Sequence, residues 1–384
     1  MKKLFFTAIL FAVLLNACEK DEIDPVDEQT DNTSSLVPES WDIQIVDSAA
    51  VETSLAEFNK IAVDDNKGVH ILYSSEEELK YTLKYAYKPF GGSWTVEILP
   101  GTEDNYDISN GADICVTNSE VFVVYNDAQS NEIMYFAHKT IGSGGWITEI
   151  YDNNSLSRYP HLFADKNNIV HIVYSHVNYG IYYGQYGQAG HQITDFASYG
   201  AKDIVVDKDG TIYVFFNNND DFYRIYSSDN GTTWSLPTVI FNDDEIEHIS
   251  AAVDTSGNIS VGFSLNQLND NIDFFYKSYG STSTIYSKTG LNRVGRLQFE
   301  LAADLAGRQY FTTYEYSDYY CLQFSEKDRN SSSWSHILLM QDENNRYASC
   351  SSVAVDKDAG VHISANGVTD GVSNKLYYLY RENK

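Results

Sequence analysis

The residues able by type to grip or transform a ligand fall where this 384-residue chain departs from its own repetition. Arg158-Tyr159-Pro160-His161 leads into one apolar run, and Tyr174-Ser175-His176 closes the next. Tyr125-Asn126-Asp127 and Glu315-Tyr316 end similar runs, while His248, Arg296 and Arg346-Tyr347 lead into others. A guanidinium holds a carboxylate through two parallel hydrogen bonds, and a tyrosine ring covers the C–H face of a sugar while its hydroxyl fixes a polar group. Histidine or tyrosine beside such an arginine could also move a proton. The candidate ligand-binding set is Tyr125, Asp127, Arg158, Tyr159, His161, His176, Glu315 and Arg346, expected to converge on one central funnel. No catalytic residue, metal ligand or cofactor is assigned.

Repetition supplies the scaffold for these residues. Units such as IAVDDNKGVHILYSSEEELKYTLKYAYKPFGGSWTVEIL and DIVVDKDGTIYVFFNNNDDFYRIYSSDNGTTWSLPTVIF share one plan. A short apolar strand ends in Asp, a polar turn follows, and alternating apolar residues resume. A Tyr-rich third strand and usually a Trp-led fourth complete the unit. The turn residues are Asp64, Thr117, Asp165, Asp207, Asp254, Asp304 and Asp356, at intervals of 53, 48, 42, 47, 50 and 52 residues. Four short strands in such a period are the mark of a propeller blade.

The spacing therefore predicts an all-β, seven-bladed β-propeller of four-stranded antiparallel blades over residues 41–384. Trp41 lies 23 residues before Asp64, as Trp94 lies 23 before Thr117, so SWDIQIVD occupies a fourth-strand slot. The last unit, ending LYYLYRENK, lacks its own fourth strand. The N-terminal strand is accordingly expected to complete the last blade and close the ring, which removes exposed sheet edges.

Ahead of the propeller, Lys2 and Lys3 precede the apolar run Leu4–Leu15, which is short for a membrane span. Leu15-Asn16-Ala17-Cys18 resembles a bacterial lipobox, with Asn16 departing from the usual small residue; the resemblance implies a signal peptide over 1–17 and lipidation of Cys18. Residues 18–40 read as an acidic disordered tether, since 19–40 hold eight acidic groups and one basic. An acidic stretch there also resembles the export signal of surface lipoproteins in the Bacteroidetes, which implies an outer-membrane lipoprotein exposed on the cell surface.

The formal net charge of −28 excludes nucleic acid as a partner and disfavours polyanionic glycans unless a local basic patch intervenes. Beyond Cys18, the three cysteines Cys115, Cys321 and Cys350 form no disulfide framework, with a Cys321–Cys350 bridge as the single pairing to test.

Ser227-Ser228-Asp229-Asn230-Gly231-Thr232-Thr233-Trp234 matches the Asp-box pattern Ser-x-Asp-x-Gly-x-x-Trp. With GGSW, SGGW and SSSW as remnants, and with units of the form A-V-D-x-x-G-x-x-H-I-x-Y…L-x-Y-A…W-x-x-E, the body resembles bacterial surface propellers with degenerate Asp-box repeats. Sialidase activity is not implied, because no arginine precedes Arg158 and the three-arginine carboxylate clamp of sialidases is missing. His70, His171 and His362 share a position filled elsewhere by Phe122, Tyr213, Ser260 and Phe311, so it reads as a packing slot. Turns such as Asp207-Lys208-Asp209-Gly210 carry too few oxygens for calcium.

SRYPHLFADKNNIVHIVYSH weakly resembles the His/Tyr/Arg region of propeller polysaccharide lyases, which implies His176 or Tyr159 as base and Arg158 as carboxylate partner. The leading expectation is a non-catalytic, surface-anchored, monomeric propeller that binds a glycan. The alternatives are a polysaccharide lyase or glycoside hydrolase, and a scaffold for an outer-membrane or surface protein.

Overall fold

The computed structural model describes residues 40–383 apart from 51–52, 79, 104–110, 128–132, 154–155, 177–178, 197–201, 219–220, 243–245, 255, 267–270, 279–285, 293–299, 317–319, 330, 332, 343–349 and 368–372. The expected signal peptide, Cys18 and most of the acidic tether fall outside them. The chain is a β-propeller of four-stranded antiparallel sheets, all but the closing one laid down in simple sequence order. The first six sheets open with inner strands Ser54–Val63, Ala112–Val116, Ser157–Ala164, Lys202–Val206, Ile246–Val253 and Leu301–Ala303. A closing sheet takes Ser351–Val355, Val361–Gly367 and Ser373–Arg381 from the C-terminus and Asp42–Ala50 from the N-terminus. Ile43 lies opposite Leu379 in that last pairing, which ties the two ends of the domain together.

The turn spacing predicts seven blades, and the structure corrects that count: six are complete among the described residues. In the sheet that opens at Ile246, the outer strands Asn271–Ser278 and Tyr286–Asn292 carry no described side chains. Six apolar seams, not seven, are described between neighbouring sheets, the one missing being that between the fifth and sixth.

The lock is consistent where it occurs. Trp94, Trp146, Trp234 and Trp41 each reach from an outer strand to an aromatic ring on the third strand of the preceding blade, Tyr378, Tyr85, Tyr183 and Phe324, at 5.1–5.2 Å between centroids. Edge-to-face aromatic pairs of this kind add to the area they bury. Trp334 packs on Phe311 of its own blade at 4.7 Å.

The inner turns are built by an aspartate, except in the second blade, where the Thr117 hydroxyl accepts the Glu120 amide at 3.1 Å. Asp64 Oδ1 accepts the Asn66 and Gly68 amides at 2.8 and 2.7 Å, and Asp165, Asp207, Asp254, Asp304 and Asp356 repeat the pattern. These carboxylates are engaged by backbone, which is the Asx-turn role. The buried histidines of the shared slot join the turn to the third strand. Tyr85 Oη lies 2.7 Å from His70 Nδ1 and Asp64 Oδ2 lies 3.2 Å from His70 Nε2, and Tyr378, His362 and Asp356 reproduce both distances. Cys115 and Cys350 are buried free thiols, so the Cys321–Cys350 bridge is not formed.

Candidate functional site

The inner strands surround a channel, and each contributes one polar side chain four residues before its turn residue. These are Lys60, Asp113, His161, Asp203, Ser250, Glu300 and Ser352. All but Ser352 line a channel cavity of about 130 Å³. The period-2 pleat explains the ring: with apolar neighbours turned into the seams, the intervening residue must face the axis.

Most of the ring brakes one blade against the next. Asp113 accepts its own neighbour's amide at Ile114, 2.9 Å, and the Leu162 amide of the following blade, 2.7 Å. Asp203 does the same with Ile204 and Ala251, both at 2.7 Å. Ser250 accepts from Leu301 at 3.0 Å, and Ser352 from Ile61 at 3.1 Å across the closure. Lys60 pairs with Glu300, which also accepts the Ser352 hydroxyl at 2.6 Å. His161 Nδ1 lies 4.0 Å from Asp113 and 3.8 Å from Asp203.

Burial dominates the electrostatics here. It pushes Asp203 up to about 7 and raises Asp113 as well, against the opposing pull of their amide donors and Lys60. It drives His161 well below the imidazole range, helped by Lys60, Lys202 and His248. Lys202, fully buried at the start of its strand, is brought down to about 7 by the same desolvation. Because both oxygens of Asp113 and of Asp203 already hold backbone amides, the channel reads as bracing. Among the described residues no group of three or more His, Cys, Asp or Glu is arranged for a metal.

The mouth of the third blade is different in character. Tyr159 has a φ of 52°, a conformation that costs a bulky residue energy, and Lys202 Nζ stands 5.2 Å from its ring centroid. Backbone pairing sets Arg158 opposite Ser175 and His176 opposite Ser157, so the two occupy successive rungs of adjoining strands, from which side chains alternate between the two faces of the sheet. His176 meets Tyr179 edge-on at 4.6 Å and Tyr182 at 5.6 Å, and Tyr182 meets Tyr174 at 5.5 Å. Tyr179 is 57% exposed. Its turn is fixed by Gly180, whose φ is +101° and where a Cβ would stand 2.0 Å from the Thr194 carbonyl oxygen.

Of the residues singled out in the sequence, the structure gathers Arg158, Tyr159, His161 and His176 on two strands of the third blade, with His161 lining the channel. Tyr125 and Asp127 belong to the second blade and are buried. The Tyr125 hydroxyl donates to the Pro100 carbonyl at 3.3 Å, and Asp127 accepts the Ile133 amide at 3.1 Å. Glu315 lies in the strand Gln309–Tyr316 opposite Cys321, its side chain outside the described residues, as is all of Arg346. The sequence alone does not single out Tyr179, Tyr182 or Lys202. By pattern the two tyrosines resemble third-strand packing, and Lys202 resembles a solvated lysine. The polar ring has a legible signal in its fixed offset from the turn residues.

No protein-family model matches the chain. No curated protein matches it either. Solved structures share the propeller fold. The BP39L lectin from Burkholderia pseudomallei is similar at a TM-score of 0.61 and 8% identity, over 84% of this chain and 96% of that one. A PL25 ulvan lyase is similar at 0.56 and 11%, over 86% and 95%. A protein of unknown function from Dyadobacter fermentans gives 0.51 and 12%, over 89% and 99%. Identities this low establish a shared fold and leave activity to be argued from the site.

Proposed function

We propose that this propeller is a glycan-binding module, held at the cell surface by a lipid on Cys18, and that the mouth of its third blade is the binding site. The observation that carries the reading is the exposed Tyr179 ring, braced by His176 on a turn that only glycine permits. A rigid aromatic platform beside polar groups suits a pyranose, whose C–H face stacks while its hydroxyls are bonded. That a lectin and polysaccharide lyases adopt this fold supports a glycan-related role.

Tyr179→Ala should weaken binding of a retained neutral oligosaccharide on a glycan array by about tenfold, the scale of a lost stacking contact. Unchanged retention by that variant overturns the assignment. A second reading, elimination at a uronate, rests on the adjoining strand ends that bring Arg158, Tyr159 and His176 to one blade mouth. In that case the purified protein generates unsaturated-uronate absorbance, which His176→Ala and Arg158→Ala each remove. Cys18→Ala tests the anchor separately: the variant should leave the membrane fraction, and retention there counts against lipidation.

A further inference from the structure

The seam between the closing sheet and the first sheet contains a lysine that lacks, among the described residues, the counter-charge found at the equivalent cations of two other blades. Cations stand at the end of the third strand in three blades, each laid over a pair of aromatic rings. Lys139 covers Tyr85 and Trp146, Arg381 covers Trp41 and Phe324, and Lys88 covers Tyr378 and Trp94 at 5.3 and 5.9 Å. Lys139 is neutralised by Glu97, which also accepts the Trp146 indole N–H at 3.1 Å, and Arg381 is neutralised by Glu326. Lys88 has no carboxylate partner among the described residues.

The difference from the Lys139 site is a single residue, whereas Arg381 draws its partner Glu326 from the third strand of the preceding blade. Glu97 stands three positions after Trp94, and the corresponding position after Trp41 is Gln44. Gln44 keeps the indole contact, accepting Trp94 Nε1–H at 3.1 Å, but brings no charge. An unneutralised ammonium is thus built into a chain of net charge −28.

Around it lies a pocket of about 180 Å³. Tyr378 and Tyr380 line it, and Phe90, 68% exposed on its Pro89-Phe90-Gly91 loop, forms one wall. Lys67, the other lysine of the pocket, is occupied by Asp358 at 2.7 Å and Asp356 at 3.8 Å. At the rim the Asp42 carboxylate accepts the Gln44 amide at 2.7 Å and has further lone pairs to offer.

We propose that this seam pocket binds a carboxylated sugar. The ligand carboxylate supplies the charge that Gln44 lacks and faces Lys88, the ring lies on Phe90, and hydroxyls donate to Asp42. A bare carboxylate satisfies only the first contact and a neutral sugar only the other two. This second surface rests on the glycan reading and extends it, far enough along the chain from Tyr179 that each site can be tested alone.

The test is titration of a methyl glucuronoside against the purified propeller, followed by Trp94 fluorescence and calorimetry, with methyl glucoside and acetate as comparison ligands. The glucuronoside should bind at least about tenfold more tightly than either, as expected for a charge-assisted contact added to stacking. Gln44→Glu restores the internal partner of Lys88 and should remove that preference while leaving the thermal melt unchanged or raised. Lys88→Met should act in the same direction, and Lys88→Arg should retain binding. Tyr179→Ala should leave this titration unaltered, so failure of one site is distinguishable from failure of the other. Equal binding of glucuronoside and glucoside, or wild-type binding by Gln44→Glu, overturns the proposal.

Discussion

Replacing Gly231 with alanine is expected to destabilise the propeller by about 2–4 kcal/mol, whereas Gly210→Ala should cost about 1 kcal/mol or less. The backbone φ is nearly the same at the two positions, +83° and +86°, so the conformational penalty is shared. The surroundings differ. A Cβ on Gly210 meets open space, and the equivalent turn position of the closing sheet already holds Ala359 at a φ of 65°. A Cβ on Gly231 would stand 2.2 Å from the Tyr183 ring of the preceding blade.

Tyr183 cannot retreat cheaply, because its hydroxyl is bonded to His171 at 2.8 Å and its ring packs against Trp234 at 5.1 Å. The turn cannot move outward either. Ser227 accepts the Gly231 amide at 2.9 Å, and Asp229 holds the Thr233 amide and hydroxyl at 2.8 and 2.6 Å. Denaturant unfolding of the two variants measures the difference directly. Equal losses at both positions would mean that the turn does not press on Tyr183 as described. A loss of stability with unaltered glycan retention would place the Ser227–Trp234 turn in the scaffold, where the missing arginine clamp already put it.

How far the sequence can be read depends on whether a feature repeats. The turn aspartates, the outer-strand tryptophans and the pairing of Asp42–Ala50 with the C-terminal strand follow from positions that recur at a fixed offset, because each blade solves the same packing problem. The polar ring of the channel also recurs and was legible in principle. It is hidden by its chemistry, since Lys60, Asp113, His161 and Ser250 look unrelated until the offset is imposed. The third-blade mouth had no such offset. Arg158, Tyr159 and His176 stood out by type, but Tyr125 and Asp127 stood out equally and are buried, because strand ends of identical appearance can turn toward a seam or toward solvent. Gln44 is informative for the opposite reason: a repeat is needed before its one missing charge can be seen.

Acidification through pH 6 is expected to lower the stability of the domain. His70, His161, His171 and His362 are all held below the ordinary imidazole range, in each case chiefly by burial. An unfolded chain protonates these side chains near pH 6.5, about the unperturbed value, while the folded chain resists. The unfolded state therefore binds more protons, and stability falls as pH drops through that range. Asp113 and Asp203 act in the opposite sense. Burial raises both, Asp203 to about 7, so the folded state takes up their protons first and gains stability as pH falls. Four groups against two make a loss of stability the expected net direction. Asp64 and Asp356, held below the usual carboxylate value by His and backbone donors despite burial, keep their contribution until pH falls below about 3.8 and then add to the loss. Equilibrium denaturation followed by tryptophan fluorescence at pH 8, 6 and 5 gives the slope. His362→Phe copies Phe122, which fills the same slot in the second blade; in the sixth blade the structure puts Tyr310 there, its hydroxyl donating to Asp304 at 2.9 Å, and not Phe311 as the spacing suggests. The His362→Phe variant should reduce that slope even if it lowers stability at neutral pH. A flat profile, or an unchanged slope in that variant, would show that the buried imidazoles already carry their protons in the folded state, with Asp64 and Asp356 acting as ion-pair partners rather than as turn-building acceptors.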